Sequence, residues 1–465
     1  MTRRLIYNAF THVTPNHHSH GYWRHPDGQG QLDYKRLQPW LDLARTVERG
    51  RFDTVFLADV VGVYDKFRGN GDTSIRTAMQ FPSLDPASLV SALGAVTEHL
   101  GFAVTSSVIQ DHPFDFARKL STLDHLTDGR VAWNIVTSYL DNAARNFGHA
   151  ALEEHDERYR WAEEYVDVVY KLWEASWEDD ALVTDATRGV FAEPARVHKI
   201  HHRGARYSVE GPHLSEPSPQ RTPLLFQAGG SEAGRRFAAR HAEATFIAAR
   251  TPESAAHHVA DLRARTRALG RRDNELKIIV PLAPVIGSTE AEAHARRREL
   301  KEWLSVDALQ SFYSGGLGVD LSNIDPGQPL SELLQNNHVR GNVRAFIEAA
   351  PDRTVTFADL LKETVSGRFA GTPEQIADEV QRYADAGVDG FNVVPVTTRG
   401  WWTEFVDQVV PELQKRGLMQ TEYAPGTLRN KISGRGPLLP DHHPARQLRD
   451  EVRQLSRDKR RAQQV

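Results

Sequence analysis

VAWNIVTS (131–138) is an apolar, β-branched run that carries one amide, Asn134, and stops abruptly at Ser138. Four other segments share that form: DTVFLAD (53–59), LGFAVTSS (100–107), LLFQAGGS (224–231) and FNVVPVT (391–397). They end at Asp59, at Thr105 and Ser106, at Gly229, Gly230 and Ser231, and at Pro395. Most run on into a segment of helical period. Apolar strands alternating with amphipathic helices predict a parallel α/β sheet. Polar residues gathered at the C-terminal ends of such strands predict an active site on the upper rim of a (β/α)8 TIM barrel.

Working outward, RRLIYNAF (3–10), EATFIAA (243–249) and LKIIVPLAPVIG (276–287) complete a count of eight strands. Helices are expected over 34–49, 86–99, 113–126, 155–175, 231–242, 252–269, 372–387 and 401–417. The long polar segments 11–31 and 60–85 read as functional loops. Two stretches break the rhythm and read as large insertions: about 176–222 after strand 4, and about 288–370 after strand 7. One barrel domain is therefore expected over 1–430. Residues 431–465 are polar with a basic end, and read either as a solvated tail or as an arm docking on a second subunit.

The 465 residues are 40% hydrophobic and 25% charged, as in an ordinary soluble globular protein. A net charge of −4 gives no global sign of nucleic acid or an anionic membrane. The absence of cysteine excludes disulfides, Cys-based zinc sites, iron–sulfur clusters and a thiol nucleophile. No apolar stretch approaches the ~20 residues that span a bilayer, so a cytoplasmic enzyme is expected.

QAGGSEAGR (227–235) is the most legible motif. Glycines let a ligand approach the backbone, and a helix start offers N–H groups and a dipole to a phosphate. A tight turn with no ligand would look the same. Asp59 leaves a buried strand and needs a partner, a ligand or a capping role. Asn134, Thr105 and Ser106 must find hydrogen bonds, either on a heterocycle edge or on neighbouring backbone. The loop THVTPNHHSHGYWRHP (11–26) holds five histidines, and His18-Ser19-His20 has the HxH spacing of metal-dependent barrel hydrolases. That chemistry needs further ligands after later strands. The strand ends Gly-Gly-Ser, Ala-Ala-Arg and Val-Pro-Val-Thr supply none, so no metal site is expected. His201 and His202 read as surface residues.

Several stretches resemble the bacterial-luciferase-like flavin monooxygenases, within them the nitrilotriacetate monooxygenase and dibenzothiophene-sulfone monooxygenase group. They include GYWRHP (21–26), ERGRFDTVFLADVVGVYD (48–65), DPASLVSALGAVTEHLGFAVTSS (85–107), FARKLSTLDHLTDGRVAWNIVTSYLDNAARNFG (116–148), HDERYRWAEEYVDVVYKLWE (155–174) and FQAGGSEAGRRFAARHAEATF (226–246). The resemblance implies a barrel that binds FMN non-covalently and receives it reduced from a separate NAD(P)H:FMN reductase. Oxygen would add to the flavin C4a, giving a peroxide that attacks a small organic substrate. It implies Asp59, Thr105, Ser106, Asn134, His155, Tyr159, Gly229, Gly230 and Ser231 as the flavin set. His155 and Tyr159 lie four apart, on one helix face. His20 and Ser138 match polar positions near the isoalloxazine and are the expected catalytic residues. A histidine of ordinary pKa near 6.5 would suit proton transfer.

The same resemblance implies a homo-oligomer, a dimer or a tetramer. A barrel using the deazaflavin F420 for hydride transfer is the alternative enzyme, and a non-catalytic flavin-binding protein the alternative outside catalysis. Trp23, Tyr64, Phe67, Phe81 and Tyr313 could line an apolar pocket for a cyclic substrate. Arg24, Arg68 and Arg76 could instead clamp a carboxylate or sulfonate.

Overall fold

The structure is a computed structural model that describes residues 4–15, 18–333, 343, 346–350, 352–362, 369–397 and 400–463. Eight parallel strands close a barrel in chain order: β1 (Ile6–His12), β2 (Thr54–Ala58), β3 (Gly101–Ser107), β4 (Val131–Val136), β5 (Leu224–Ala228), β6 (Ala244–Phe246), β7 (Lys277–Leu282) and β8 (Gly390–Val393). Every neighbouring pair is parallel, and β1 pairs with both β2 and β8. The barrel expected from the sequence is the barrel observed.

Both faces of these strands are covered, which explains their near-continuous apolar character. Ile6, Phe56, Ala103, Ala132, Leu224, Phe226, Ala244 and Ile279 form the inner cluster. The alternate residues, among them Tyr7, Val55, Phe102, Trp133, Leu225 and Phe391, pack against the helices. Midway up, polar side chains satisfy one another. Asn8 Nδ2 donates to Asn392 Oδ1 (2.9 Å), and Thr54 Oγ1 donates to Asn8 Oδ1 (2.7 Å).

The lower end is closed by a helix that straddles the boundary expected between barrel and tail. The short helix Leu428–Ser433 sends Leu428 and Ile432 into the inner cluster. A Cβ at Gly101 would lie 2.6 Å from Leu428 Cδ1, so the stopper requires glycine there. Beside it Arg429, 1% exposed, meets Glu243 through two hydrogen bonds of 2.7 and 2.9 Å.

The helix Pro444–Gln463 then folds back on the same barrel, burying Ala445 and Val452 with Leu448 half-buried. Arg449 Nη2 bonds Glu174 Oε2 (2.8 Å), and Glu174 is wholly buried in a π-helical turn, Lys171–Ala175. A solvated tail does not describe these buried residues, which pack on their own barrel. The helix's apolar stripe is only one residue wide, and charge pairs that hydropathy does not weigh carry the rest.

Other departures are local. The stretch expected as strand 7 divides: Pro284–Ile286 leaves the barrel and pairs with Phe369–Gly371. The loop 60–85 contains a helix, Asp72–Thr77, whose buried Ser74 hydroxyl bonds Tyr64 O (2.7 Å) and Ser311 Oγ (2.8 Å). The 176–222 stretch forms two small hairpins, and the described part of 288–370 forms helices around a satellite core of Leu309, Tyr313, Leu317 and Phe357.

Candidate active site

The upper rim holds a cluster built by strand register. Thr105 on β3 sits beside Asn134 on β4, and Asn134 Nδ2 donates to Thr105 Oγ1 (2.9 Å). Asn134 Oδ1 is buried with no bonding partner. Leaving such an acceptor unmade costs about 1–3 kcal/mol, so the position is prepared for a donor. Period-two alternation sends Ser106 outward beside Ile135, against the helix layer, and brings Ser107 inward instead. Ser138 Oγ donates to Ser107 Oγ (2.9 Å), and Ser138 has a left-handed backbone (φ 59°).

Asp59 follows β2 directly. Burial, with a smaller push from Asp85, raises its carboxyl to about 7. The Val60 N–H (2.9 Å) and Gln110 bond the carboxylate and oppose that rise. Gln110 also accepts from the Ser107 N–H, joining the ends of β2 and β3.

The turn after β5 is a cradle. Gly230 is exposed and Gly229 half-buried, and Ser231 caps the helix Glu232–His241 by accepting from Gly234 N–H (3.1 Å). A Cβ at Gly229 would lie 2.5 Å from Tyr159 Oη, and one at Gly234 2.6 Å from it. The glycines therefore admit the phenol to the turn. Gln227 Nε2 approaches the same hydroxyl at 3.4 Å. Glu232, in the first turn, would repel an anion, but Arg265 grips both its oxygens (2.7 and 2.9 Å). The His155 ring packs tilted against the Tyr159 ring, 5.2 Å between centroids, and bonds Asp156 Oδ1 through Nδ1 (2.8 Å).

A neutral aromatic wall stands beside the rim. Tyr64 Oη bonds Tyr139 Oη and donates to Gln80 Oε1 (2.8 Å). Phe312 lies 5.7 Å from the Tyr64 ring and 5.1 Å from the His20 ring. Burial pushes Tyr139 up to about 12 and Tyr64 higher still, so both phenols stay protonated.

His20 is 3% exposed, and burial pulls its imidazolium down to about 3. The expected ordinary titration is thus not what its surroundings permit; this ring is neutral throughout the physiological range. His18 is half-buried beside it, its ring edge-on to His20 (6.3 Å between centroids) and to Phe312 (6.5 Å).

The three arginines considered as clamps face solvent. Arg24 bonds Trp303 O (2.5 Å), Arg68 lies over Phe67 (4.9 Å to the ring centroid), and Arg76 pairs with Asp307 (3.6 Å). Tyr313 belongs to the satellite core. Its neighbour Phe312 faces the site in its place.

Residues that the sequence reading missed are Ser107, Gln110, Gln80, Tyr139, Gln227 and Phe312. Only Ser107 had an available signal, the alternation from Thr105. The others come from loops, an outward strand position and a helix whose facing depends on the whole fold.

Residues 7–390 match the family model for luciferase-like monooxygenases. The chain is 43% identical over 456 residues to the dimethyl-sulfide monooxygenase of Hyphomicrobium sulfonivorans, covering 97% of this chain and 95% of that one. It is equally similar, 43% over 456 residues, to the long-chain alkane monooxygenase of Geobacillus thermodenitrificans, covering 97% and 99%. A crystal structure of a riboflavin lyase with modified FMN and riboflavin superposes with a TM-score of 0.90 at 35% identity, covering 96% and 100%.

Proposed function

The chain belongs to the luciferase-like monooxygenase family, and from that premise we propose that it binds FMN and oxygenates a small, uncharged organic molecule. The FMN would be supplied reduced by a separate NAD(P)H:FMN reductase. Bound in that form, the flavin supplies the electrons that activate oxygen; the protein binds, orients and excludes water.

The observation that carries this reading is the pairing of two features on neighbouring strands. After β5, Gly229, Gly230 and Ser231 open a helix start to a phosphate, with Tyr159 beside them and the charge of Glu232 already neutralised. On β4, Asn134 Oδ1 is a buried acceptor without a donor, suited to a ring N–H. Thr105 fixes the Asn134 amide, and Ser138 and Ser107 extend the polar rim. Residues able to hold a flat ring with a phosphate tail are thus present.

The wall argues for the substrate's charge. Tyr64, Tyr139, Phe312 and a neutral His20 offer apolar area and hydroxyls but no cation. Burying a carboxylate against them without a partner is costly, and Arg24, Arg68 and Arg76 are engaged at the surface. Amino-polycarboxylates fit poorly. Sulfones fit, as do sulfides and hydrocarbons, the last two consistent with the names of the relatives that share 43% identity.

Anaerobic titration with reduced FMN, followed by oxygen and a panel of substrates, tests both parts. Binding of reduced FMN and oxygenation of a neutral sulfide or alkane is expected. Failure to bind either redox form of FMN would sink the cofactor assignment. Oxygenation of nitrilotriacetate in preference to neutral compounds would sink the substrate class.

A further inference from the structure

Arg158 lies in the first turn of the helix His155–Tyr170, between His155 and Tyr159, and is 3% exposed. Its Nη1 donates to the carbonyl oxygen of Ser138, and its Nε is buried without a hydrogen-bond partner. Among the described residues no carboxylate forms an ion pair with it; Glu154 and Asp141 act on it only through space. A buried guanidinium held by one carbonyl is costly, because a single neutral acceptor does not replace its hydration. The carbonyl it holds belongs to a residue that also needs holding. Ser138 is a non-glycine residue in the left-handed region, a strained backbone conformation. Its hydroxyl anchors the end of β4 to Ser107 on β3, next to Asn134 and Thr105. The uncompensated charge therefore sits directly behind the rim on which the flavin ring is placed above.

We propose that Arg158 is a positioning residue that fixes Ser138 and biases the site toward reduced FMN over oxidised FMN. This rests on the cofactor reading of the preceding section. The physical reason is linkage: a ligand shifts an equilibrium only by its differential interaction with the two states. The FMN phosphate is anionic in both redox forms, so it cannot discriminate between them. The isoalloxazine differs, being neutral when oxidised and anionic at neutral pH when reduced. A buried cation lacking a counter-ion lowers the energy of the anionic ring, and the cost of burying Arg158 is recovered when that ring arrives. The protein would thereby take up the form that its reductase delivers and release the form left after turnover.

The test compares dissociation constants for oxidised FMN and for anaerobically reduced FMN in the wild type, Arg158→Met and Arg158→Lys. Arg158→Met is expected to weaken reduced FMN roughly tenfold more than oxidised FMN, the order expected for unit charges about 10 Å apart in a protein interior. Arg158→Lys should keep most of the preference, because it keeps the charge. The absorption spectrum of bound reduced flavin gives a second readout. The wild type should hold the anionic form to lower pH than Arg158→Met does. Equal weakening of both redox forms would assign Arg158 to the phosphate and overturn the proposal, as would a neutral reduced flavin on the wild type at pH 7. Circular dichroism and thermal midpoints check folding. If Arg158→Met does not fold, Arg158→Lys and the wild-type spectrum decide. A wild type that binds no flavin would remove the cofactor reading itself. A wild type that binds both forms, with a ratio Arg158→Met leaves unchanged, would remove this inference alone.

Discussion

Two buried arginines at opposite ends of the barrel are treated in opposite ways. At the lower end, Arg429 is saturated: it pairs with Glu243 and donates to the carbonyls of Thr222 (2.8 Å), Pro223 (3.1 Å) and Pro437 (2.7 Å). Glu243 and its other neighbours raise its pKa against the lowering effect of burial. At the upper end, Arg158 has the Ser138 carbonyl and an unbonded Nε, and burial lowers its pKa. The same end holds the orphaned Asn134 acceptor, the raised Asp59 carboxyl and the left-handed Ser138. One end has spent its polar groups on stability, while the other keeps them open for a ligand, the division expected of this fold.

The contrast is sharpest in stability. Arg429→Met should destabilise the protein by about 3–5 kcal/mol, because it strands Glu243 in the interior. Adding Glu243→Gln should recover part of that loss. Denaturant unfolding of the single and double variants checks both, and a near-neutral Arg429→Met would break the comparison at its lower end.

Gly229→Ala probes the upper end with the opposite signature. The new Cβ would meet Tyr159 Oη and Gln227 Nε2, each at 2.5 Å. FMN affinity should fall about tenfold, or 1.4 kcal/mol. The thermal midpoint should move little. Equilibrium dialysis beside calorimetry separates the two effects, and an unchanged affinity would remove the turn from the binding site.

Asp59→Asn should show a pH dependence. The native carboxyl, at about 7, binds a proton that the unfolded chain, near 3.8, has released. Stability of the wild type therefore falls as pH rises from about 4 to 7. The variant lacks that loss, so its melting temperature should exceed the wild type's by ~1–3 °C at pH 8 and converge with it at pH 4. A constant difference across that range would contradict the raised carboxyl.

The smallest expected effect concerns His20. With a native value near 3 against 6.5 unfolded, it titrates far below neutrality. The pH profile of kcat/KM between 6 and 8 should be the same in His20→Gln as in the wild type. A wild-type inflection near 6.5 that the variant lacks would restore His20 as a proton carrier. The sign in stability is opposite to that of Asp59. The unfolded state takes up a proton that the native ring refuses, so acidification below 6.5 destabilises the wild type.

The barrel was legible because hydrophobic period and strand-end chemistry are local properties. VAWNIVTS and LLFQAGGS show both in eight residues each. The rim was legible to within one residue. Ser106 was favoured where period-two alternation brings in Ser107. The wall was not legible. Phe312 and Tyr313 are adjacent on a helix of the second insertion, and which of them faces the site depends on how that insertion seats. The lower stopper was hidden for a different reason. Arg429 and Glu243 lie 186 residues apart, and a lone arginine in a polar stretch looks exposed until its partner is placed.

The stopper also sets an order of events. Leu428 and Ile432 fill the barrel floor, yet they follow all eight strands in the chain. During synthesis the strands emerge first, with the floor open, Glu243 unpaired and the β3 position at Gly101 uncovered. The floor is thus the last part of the barrel to leave the ribosome, and its contacts are among those of longest sequence separation. A released chain truncated after residue 420 would keep all eight strands and lack the floor, leaving the apolar base of the barrel exposed.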